Sequence, residues 1–79
     1  MSDNQQTEYE RKYRLFTERL KQARIDAGLR QWQVAAIINR GQAYISKCEN
    51  GDLRIDVIQL LEFAEVYSKP INYFLEGIE

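Results

Sequence analysis

Residues 31–51, which read QWQVAAIINRGQAYISKCENG, decide the fold of this chain. The first eight place apolar side chains at helical spacing with two glutamines opposite, a pattern typical of a short amphipathic helix. Residues 39–41 (Asn-Arg-Gly) then interrupt the pattern, and because Asn and Gly tolerate left-handed backbone at low cost, a turn is expected there. A second helix is predicted from Gln42 to about Asn50, since Gly51 is the residue type favoured just beyond a helix C-terminus.

The polar face of this second helix is short, rich in amides and carries a single cation. Its members are Gln42, Ala43, Ser46, Lys47 and Asn50, whereas Ile45 and Cys48 share the opposite face. Amides and cations pair with base edges and phosphates, and an alanine can contact a thymine methyl group. Periodicity alone is equally compatible with a DNA-contacting face and with an ordinary polar surface on a helical hairpin.

Several motifs occur in a defined order and spacing between residues 15 and 75. They are Arg24, Gly28-Leu29, Gln31, Val34-Ala35, Tyr44-Ile45-Ser46-Lys47, Glu49-Asn50-Gly51, Arg54–Ile58 and Leu60-Leu61-Glu62. This arrangement resembles the helix-turn-helix domain of the phage-repressor and Cro type, often called the XRE family. The resemblance implies an all-α fold, a compact five-helix lambda-repressor-like DNA-binding domain whose second and third helices form the helix-turn-helix. It also implies a salt bridge between Arg24 and Glu49 that ties the first helix to the end of the recognition helix.

The resemblance further implies a sequence-specific transcriptional regulator that binds a palindromic operator in double-stranded DNA as a homodimer. The residues expected to face the major groove are Gln42, Ala43, Ser46 and Lys47, and those expected to contact phosphates are Gln31, Arg40, Asn50 and Arg54. Tyr44 lies at the edge of this face and is expected either to join these contacts or to pack. The expected dimer contacts are Tyr73, Phe74 and Ile78, with the alternative that Phe74 and Leu75 only close the monomer core.

Three positions depart from the family pattern. Arg30 stands where Ser or Thr commonly caps the first helix of the motif, so that helix end needs other partners for its N–H groups. Asn39 replaces the usual glycine of the turn, which its tolerance of the same backbone region allows. Arg40 replaces a residue that is often apolar, and a phosphate contact is the more natural role for it.

The flanking segments predict three further helices. Thr7 and Glu10 form a capping box that begins a long helix ending at Gly28, with an apolar stripe that includes Tyr9 and Tyr13. These two tyrosines belong either to the core or to a partner surface. A capping box at Asp56 and Gln59 is predicted to begin a central core helix that ends at Ser68-Lys69-Pro70, and a short fifth helix is predicted at about Asn72–Glu76. Residues 1–6 are expected to form a disordered tail before a domain at 7–79.

Trp32 and Leu29 are the other side chains with an expected role. Leu29 should fill the core between the first two helices. Trp32 stands at the second position of a motif helix, where it is either a partly exposed packing residue or a contact to the sugar-phosphate backbone through its indole N–H.

Composition excludes several classes of protein. The chain has 79 residues, of which 44% are hydrophobic and 29% charged, and this is the composition of one ordinary globular domain. With no histidine and a single cysteine, Cys48, the sequence offers neither a usual metal site nor a Ser-His or Cys-His pair, so we expect no enzymatic activity and no cofactor. It contains no apolar run of about 20 residues and no signal segment, and a cytoplasmic protein is expected.

Charge is distributed unevenly along the chain. The net charge is −1, which is unusual for a DNA-binding protein, but residues 30–54 carry +2 and residues 55–79 carry −4. The acidic last third also suits an alternative, an antitoxin-like or adaptor module that binds another protein, with DNA binding secondary.

Overall fold

The computed structural model describes residues 7–78. Within this range the chain forms five α-helices and no β-strand: α1 Glu8–Asp26, α2 Gln31–Ile37, α3 Gln42–Asn50, α4 Val57–Tyr67 and α5 Ile71–Leu75. The prediction of an all-α fold, with the helix-turn-helix formed by the second and third helices, is confirmed. The predicted tail at residues 1–6 lies outside the described residues.

Two capping boxes begin the helices on either side of the motif. Thr7 Oγ1 accepts a hydrogen bond from the Glu10 N–H (3.0 Å), and Glu10 Oε1 accepts one from the Thr7 N–H (3.2 Å). Asp56 and Gln59 repeat the arrangement at the start of α4, with distances of 2.8 and 3.0 Å. Both boxes were predicted, and both satisfy backbone donors that the first turn of a helix leaves without partners.

The first motif helix starts without a side-chain cap. An arginine side chain has no acceptor, so Arg30 cannot bond the N–H groups of α2. Instead Gln33 Oε1 reaches back to accept a hydrogen bond from the Arg30 backbone N–H at 2.8 Å. The turn after α2 places Asn39 in the left-handed region, with φ 60°, as its replacement of glycine predicts.

The core forms where α1 crosses the other helices. Its members are Phe16, Leu20, Ala23, Val34, Ala35, Ile45, Cys48, Leu60, Phe63, Ala64, Tyr67 and Phe74, and Leu29 packs partly buried against them. Burial raises the pKa of the Cys48 thiol, which lies with Ile45 on the buried side of α3, the side opposite the polar face. The core holds α2 and α3 in a fixed mutual orientation.

Helix α4, predicted as a central core helix, is buried on one side only. Leu60, Phe63, Ala64 and Tyr67 are buried, but Val57, Ile58 and Leu61 are 70%, 69% and 44% exposed. No other described helix covers the outer side of α4, because α1, α3 and α5 all pack from the inner side. The outer side of α4 therefore carries exposed apolar side chains together with the exposed carboxylates of Glu62 and Glu65.

Phe74 requires a second correction. It was expected to contact a partner subunit, yet its side chain has no exposed surface and its ring meets that of Phe16 edge-on, with centroids 6.5 Å apart. A partner cannot touch a side chain that the monomer already encloses. Phe74 is a core residue, as the alternative interpretation held, and its neighbour Leu75 is 47% exposed.

Candidate nucleic-acid interface

Helix α3 presents the amide-rich face that the sequence predicted. Gln42, Ala43, Lys47 and Asn50 are exposed, and Ser46 is half-buried. The opposite side of the helix is anchored by Ile45, whose side chain is fully buried. The face is continuous over two turns and stands clear of the core, which is the geometry that a helix needs to enter a major groove.

A chain of hydrogen bonds runs from the inside of the domain to the first residue of α3. Glu49, held by Arg24, accepts a hydrogen bond at its Oε1 from Gln31 Nε2 (3.1 Å). Gln31 Oε1 in turn accepts one from Gln42 Nε2 (3.4 Å). Because Glu49 offers only acceptors, it fixes which end of the Gln31 amide points outward, and Gln42 is left with one N–H and its carbonyl oxygen for other partners.

Tyr44 is tied to the fourth helix. Its ring stacks on Phe63 with centroids 6.3 Å apart, and its hydroxyl accepts a hydrogen bond from Gln59 Nε2 at 2.6 Å. The Arg40 guanidinium lies 4.3 Å from the centroid of the same ring. Packing is thus one of the two roles that the sequence left open for Tyr44, and a contact to DNA stays a prediction. Gln59, predicted only as a capping residue, has this additional role that no local pattern signals.

The segment after α3 carries Arg54 beside the N-terminal turns of α1. Arg54 Nη1 donates a hydrogen bond to the Gly51 carbonyl oxygen at 2.9 Å. Its guanidinium carbon lies 4.4 Å from the ring centroid of Tyr13 and 5.5 Å from that of Tyr9. Tyr13 is half-buried and Tyr9 is 58% exposed, so the two tyrosines combine packing with surface exposure.

The other predicted contacts are distributed around this surface. Arg40 is exposed at the turn between α2 and α3, and Asn50 Nδ2 donates to Ser46 Oγ at 3.5 Å, a long bond. Trp32 is 57% exposed on α2, so its two candidate roles both remain predictions. The structure brings Gln31, Gln42 and Glu49 into one network, whereas Arg40 and Arg54 lie against aromatic rings at separate places.

An apolar groove lies on another side of the molecule, between the start of α1, the start of α4 and the C-terminal end. It has a volume of about 420 Å³, and its walls include Tyr9, Val57, Leu60, Leu75 and Ile78. Of the predicted dimer contacts, Ile78 is half-buried in this wall. Tyr73 is half-buried outside it, with the Lys69 ammonium 4.3 Å from the centroid of its ring.

Neither a metal centre nor a membrane segment is found in the described part of the chain. Among residues 7–78, no three His, Cys, Asp or Glu side chains are grouped so that they could hold a metal ion. None of the five helices combines the length and the apolar composition that crossing a bilayer requires.

Helices α2 and α3 are short and are joined by a tight turn. A buried ion pair anchors the end of α3 to α1, and the exposed side of α3 is rich in amides. These features define a helix-turn-helix DNA-binding domain. Residues 15–68 match the sequence profile of the family described as "Helix-turn-helix domain", and the chain belongs to this family. Membership indicates DNA binding and a role in transcription regulation, and proteins of this family are typically not enzymes. A search of curated proteins and a search of solved structures returned no match.

Proposed function

We propose that this protein is a sequence-specific transcriptional regulator that binds a palindromic operator as a homodimer. The observation that carries the proposal is the hydrogen-bonded chain from Glu49 through Gln31 to Gln42. A side chain that is oriented before binding loses less conformational entropy on contact, and this favours discrimination between bases. Gln42 is the residue that this chain orients, and adenine is the base that a glutamine contacts best.

The exposure of most of these side chains supports the following assignment of contacts. The bases in the major groove are contacted by Gln42, Ala43, Ser46 and Lys47. The phosphates on either side of the groove are contacted by Gln31, Arg40, Asn50 and Arg54. The Tyr44 ring packs against the Arg40 guanidinium, and Tyr44 contacts DNA only at the edge of the α3 face. Phosphate contacts set the position of a protein on the duplex, while base contacts provide the sequence preference.

The charge distribution suits this arrangement. Residues 30–54, which contain the motif, carry +2, and the acidic last third carries −4. The acidic part includes Glu62 and Glu65, which are exposed on α4. A small local positive charge gives weak non-specific binding, so the affinity for an operator depends on two subunits that bind together.

The dimer uses the surface around Tyr73 and Ile78 together with the exposed Leu75. A two-fold axis there presents two copies of α3 to successive major grooves, about 34 Å apart. Because the same patch contacts itself in such a dimer, every substitution acts twice in the interface.

Selection from random duplexes tests the proposal. The purified protein is incubated with the pool at ~150 mM salt, where non-specific electrostatic binding is weak. Enrichment of a palindrome with half-site centres about one helical turn apart supports a dimeric regulator. The matched control is the Gln42→Ala, Lys47→Ala variant, which changes only exposed side chains and should enrich no sequence. Failure of the folded, unchanged protein to enrich any sequence would contradict the proposal.

A second candidate function rests on the exposed apolar residues of α4. Val57 and Ile58 are each exposed by about 70%, and Val57 lines the apolar groove at the start of that helix. An antitoxin-like or adaptor module would cover them with another protein, and DNA binding would then be secondary. Expression together with the product of a neighbouring gene, followed by size-exclusion chromatography, tests this candidate. A complex that forms with the unchanged chain and is lost in Val57→Asp, Ile58→Asp would favour it.

A further inference from the structure

The N-terminal turns of α1 hold the backbone on both sides of Arg54. The Tyr13 hydroxyl donates a hydrogen bond to the Leu53 carbonyl oxygen (3.2 Å) and accepts one from the Ile55 N–H (2.9 Å). These two residues are the chain neighbours of Arg54. The Tyr13 hydroxyl therefore holds both neighbours of Arg54 in the irregular segment after α3, where the Leu53 N–H also donates to the Lys47 carbonyl oxygen at 3.3 Å.

The ring of Tyr13 holds the side chain of Arg54 as well. The guanidinium lies over this ring at 4.4 Å from the centroid, which is the geometry of a cation–π contact. Tyr9 extends the aromatic surface, since its ring stacks on Tyr13 with centroids 6.0 Å apart and planes inclined by 25°. Arginine has many rotamers in solution, and a planar guanidinium on an aromatic face keeps its charge and its N–H donors while losing most of that freedom.

We propose that Tyr13, supported by Tyr9, is a positioning residue that holds Arg54 ready to contact a DNA phosphate. The inference deepens the proposed function and rests on the phosphate role given there to Arg54. It also gives a role to the N-terminal turns of α1, which carry Tyr9 and Tyr13 and precede the residues 15–68 that match the family.

A depression beside Arg54 has room for the phosphate. It has a volume of about 180 Å³ and lies between α1 and the end of α3, with Arg14, Thr17, Asn50 and Gly51 also in its wall. Asn50 is a second phosphate contact in the proposed function, so both contacts flank the same space. Glu10 stands in the wall too, and its carboxylate oxygen Oε1 is already bonded to the Thr7 N–H.

The test compares four proteins: the unchanged chain, Tyr13→Leu, Arg54→Ala and the double variant. The measurement is the Kd for a duplex selected as above, as a function of salt concentration. If Tyr13 acts through Arg54, Tyr13→Leu should weaken binding to all sequences alike. It should lower the salt slope by about 0.9, the share of one phosphate contact. The double variant should bind no worse than Arg54→Ala, because residues that act as a unit are not additive.

Tyr13→Phe is the second variant, since it keeps the packing of ring 13 on Phe16, at 5.3 Å between centroids, and removes only the hydroxyl. It should fold and show an intermediate loss of affinity. NMR relaxation of the Arg54 Nε–Hε group in the free protein provides a readout without DNA. This group should be ordered in the unchanged chain, partly ordered in Tyr13→Phe and mobile in Tyr13→Leu.

Three outcomes would overturn the inference. The first is an unchanged salt slope in both Tyr13 variants, the second is an additive loss of affinity in the double variant, and the third is a mobile Arg54 side chain in the unchanged protein. Each of these results excludes the positioning role of Tyr13 and leaves the proposed function intact. If the unchanged protein binds no duplex at all, the proposed function fails first, and the role of Tyr13 in phosphate contact fails with it.

Discussion

Arg24 and Glu49 form a bidentate ion pair between α1 and the end of α3. Arg24 Nε lies 2.6 Å from Glu49 Oε2, and Nη2 lies 3.0 Å from Oε1. The side chains are only 12% and 3% exposed, and the third guanidinium nitrogen, Nη1, donates to the Leu29 carbonyl oxygen at 3.0 Å. The hydrogen bond to Glu49 raises the pKa of Arg24. This is the salt bridge that the resemblance implied, and it is confirmed.

Removal of the carboxylate should destabilise the fold. Glu49→Ala leaves the half-buried Arg24 charge without its partner, and breaking a buried pair on one side costs about 3–5 kcal/mol. Urea unfolding followed by circular dichroism measures the loss. Glu62→Ala, on the exposed face of α4, is the control and should change the free energy of unfolding by less than about 0.5 kcal/mol. An unchanged unfolding midpoint in Glu49→Ala, together with lost DNA binding, would show that Glu49 acts on recognition alone and does not stabilise the fold.

Truncation of Gln42 should relax sequence preference at one base pair. Gln42→Ala removes the side chain that Gln31 orients, and a good bidentate base contact contributes about 1–3 kcal/mol of discrimination. Kd values for a set of operators, each with one base pair changed, measure this effect. Arg54→Ala is the matched comparison and should weaken every operator by a similar factor with a smaller salt slope. A uniform loss in Gln42→Ala would mean that Gln42 contacts the backbone.

Charges placed at the C-terminal end should separate the dimer. In the Tyr73→Asp, Ile78→Asp variant, two half-buried side chains become anionic, and in a two-fold contact each anion meets its copy. Sedimentation should show a mass falling from dimer to monomer. Phe74→Ala should behave differently, because it opens a cavity in the core and costs about 3–5 kcal/mol of stability. An unaltered mass in the double Asp variant would exclude these two residues from the interface.

Stability should fall in alkaline solution because of Tyr44. Burial, followed by the neighbouring Cys48, raises the pKa of the Tyr44 phenol from 10.0 to about 12. The unfolded chain therefore loses this proton at a lower pH than the folded protein. The contribution of the neutral phenol to stability is complete below pH 10 and decreases as the pH rises towards about 12.

Thermal unfolding between pH 9 and 12 measures this dependence. Tyr44→Phe cannot ionise, so its stability should fall less steeply with pH than that of the unchanged protein. The comparison concerns the slopes, since this variant also loses the hydrogen bond from Gln59 and starts from a different stability. Parallel slopes for the two proteins would contradict the assignment.

Features that depend on neighbouring residues were predictable from the sequence. The capping boxes at Thr7 and Asp56 involve atoms three residues apart, and the turn at Asn39 depends on the backbone preference of that residue. The Arg24–Glu49 pair joins distant residues, and it was reached only through the resemblance.

Predictions failed where the outcome depends on which side of a helix its neighbours cover. Helix α4 is apolar around much of its circumference, and periodicity could not show that Val57, Ile58 and Leu61 stay exposed. In α5, adjacent Phe74 and Leu75 are equally apolar, yet one is fully buried and the other half-exposed.

The sequence by itself determined the five helices, the turn within the motif and the amide-rich face of α3, because hydrogen bonds and apolar periodicity within a few residues specify them. Only the tertiary structure decided how these surfaces are used. It linked Glu49 to Gln42 through Gln31, and it brought Tyr13 against the segment around Arg54, some 40 residues further along the chain. Such contacts form only when helices pack, since packing selects one partner from many side chains of similar chemistry.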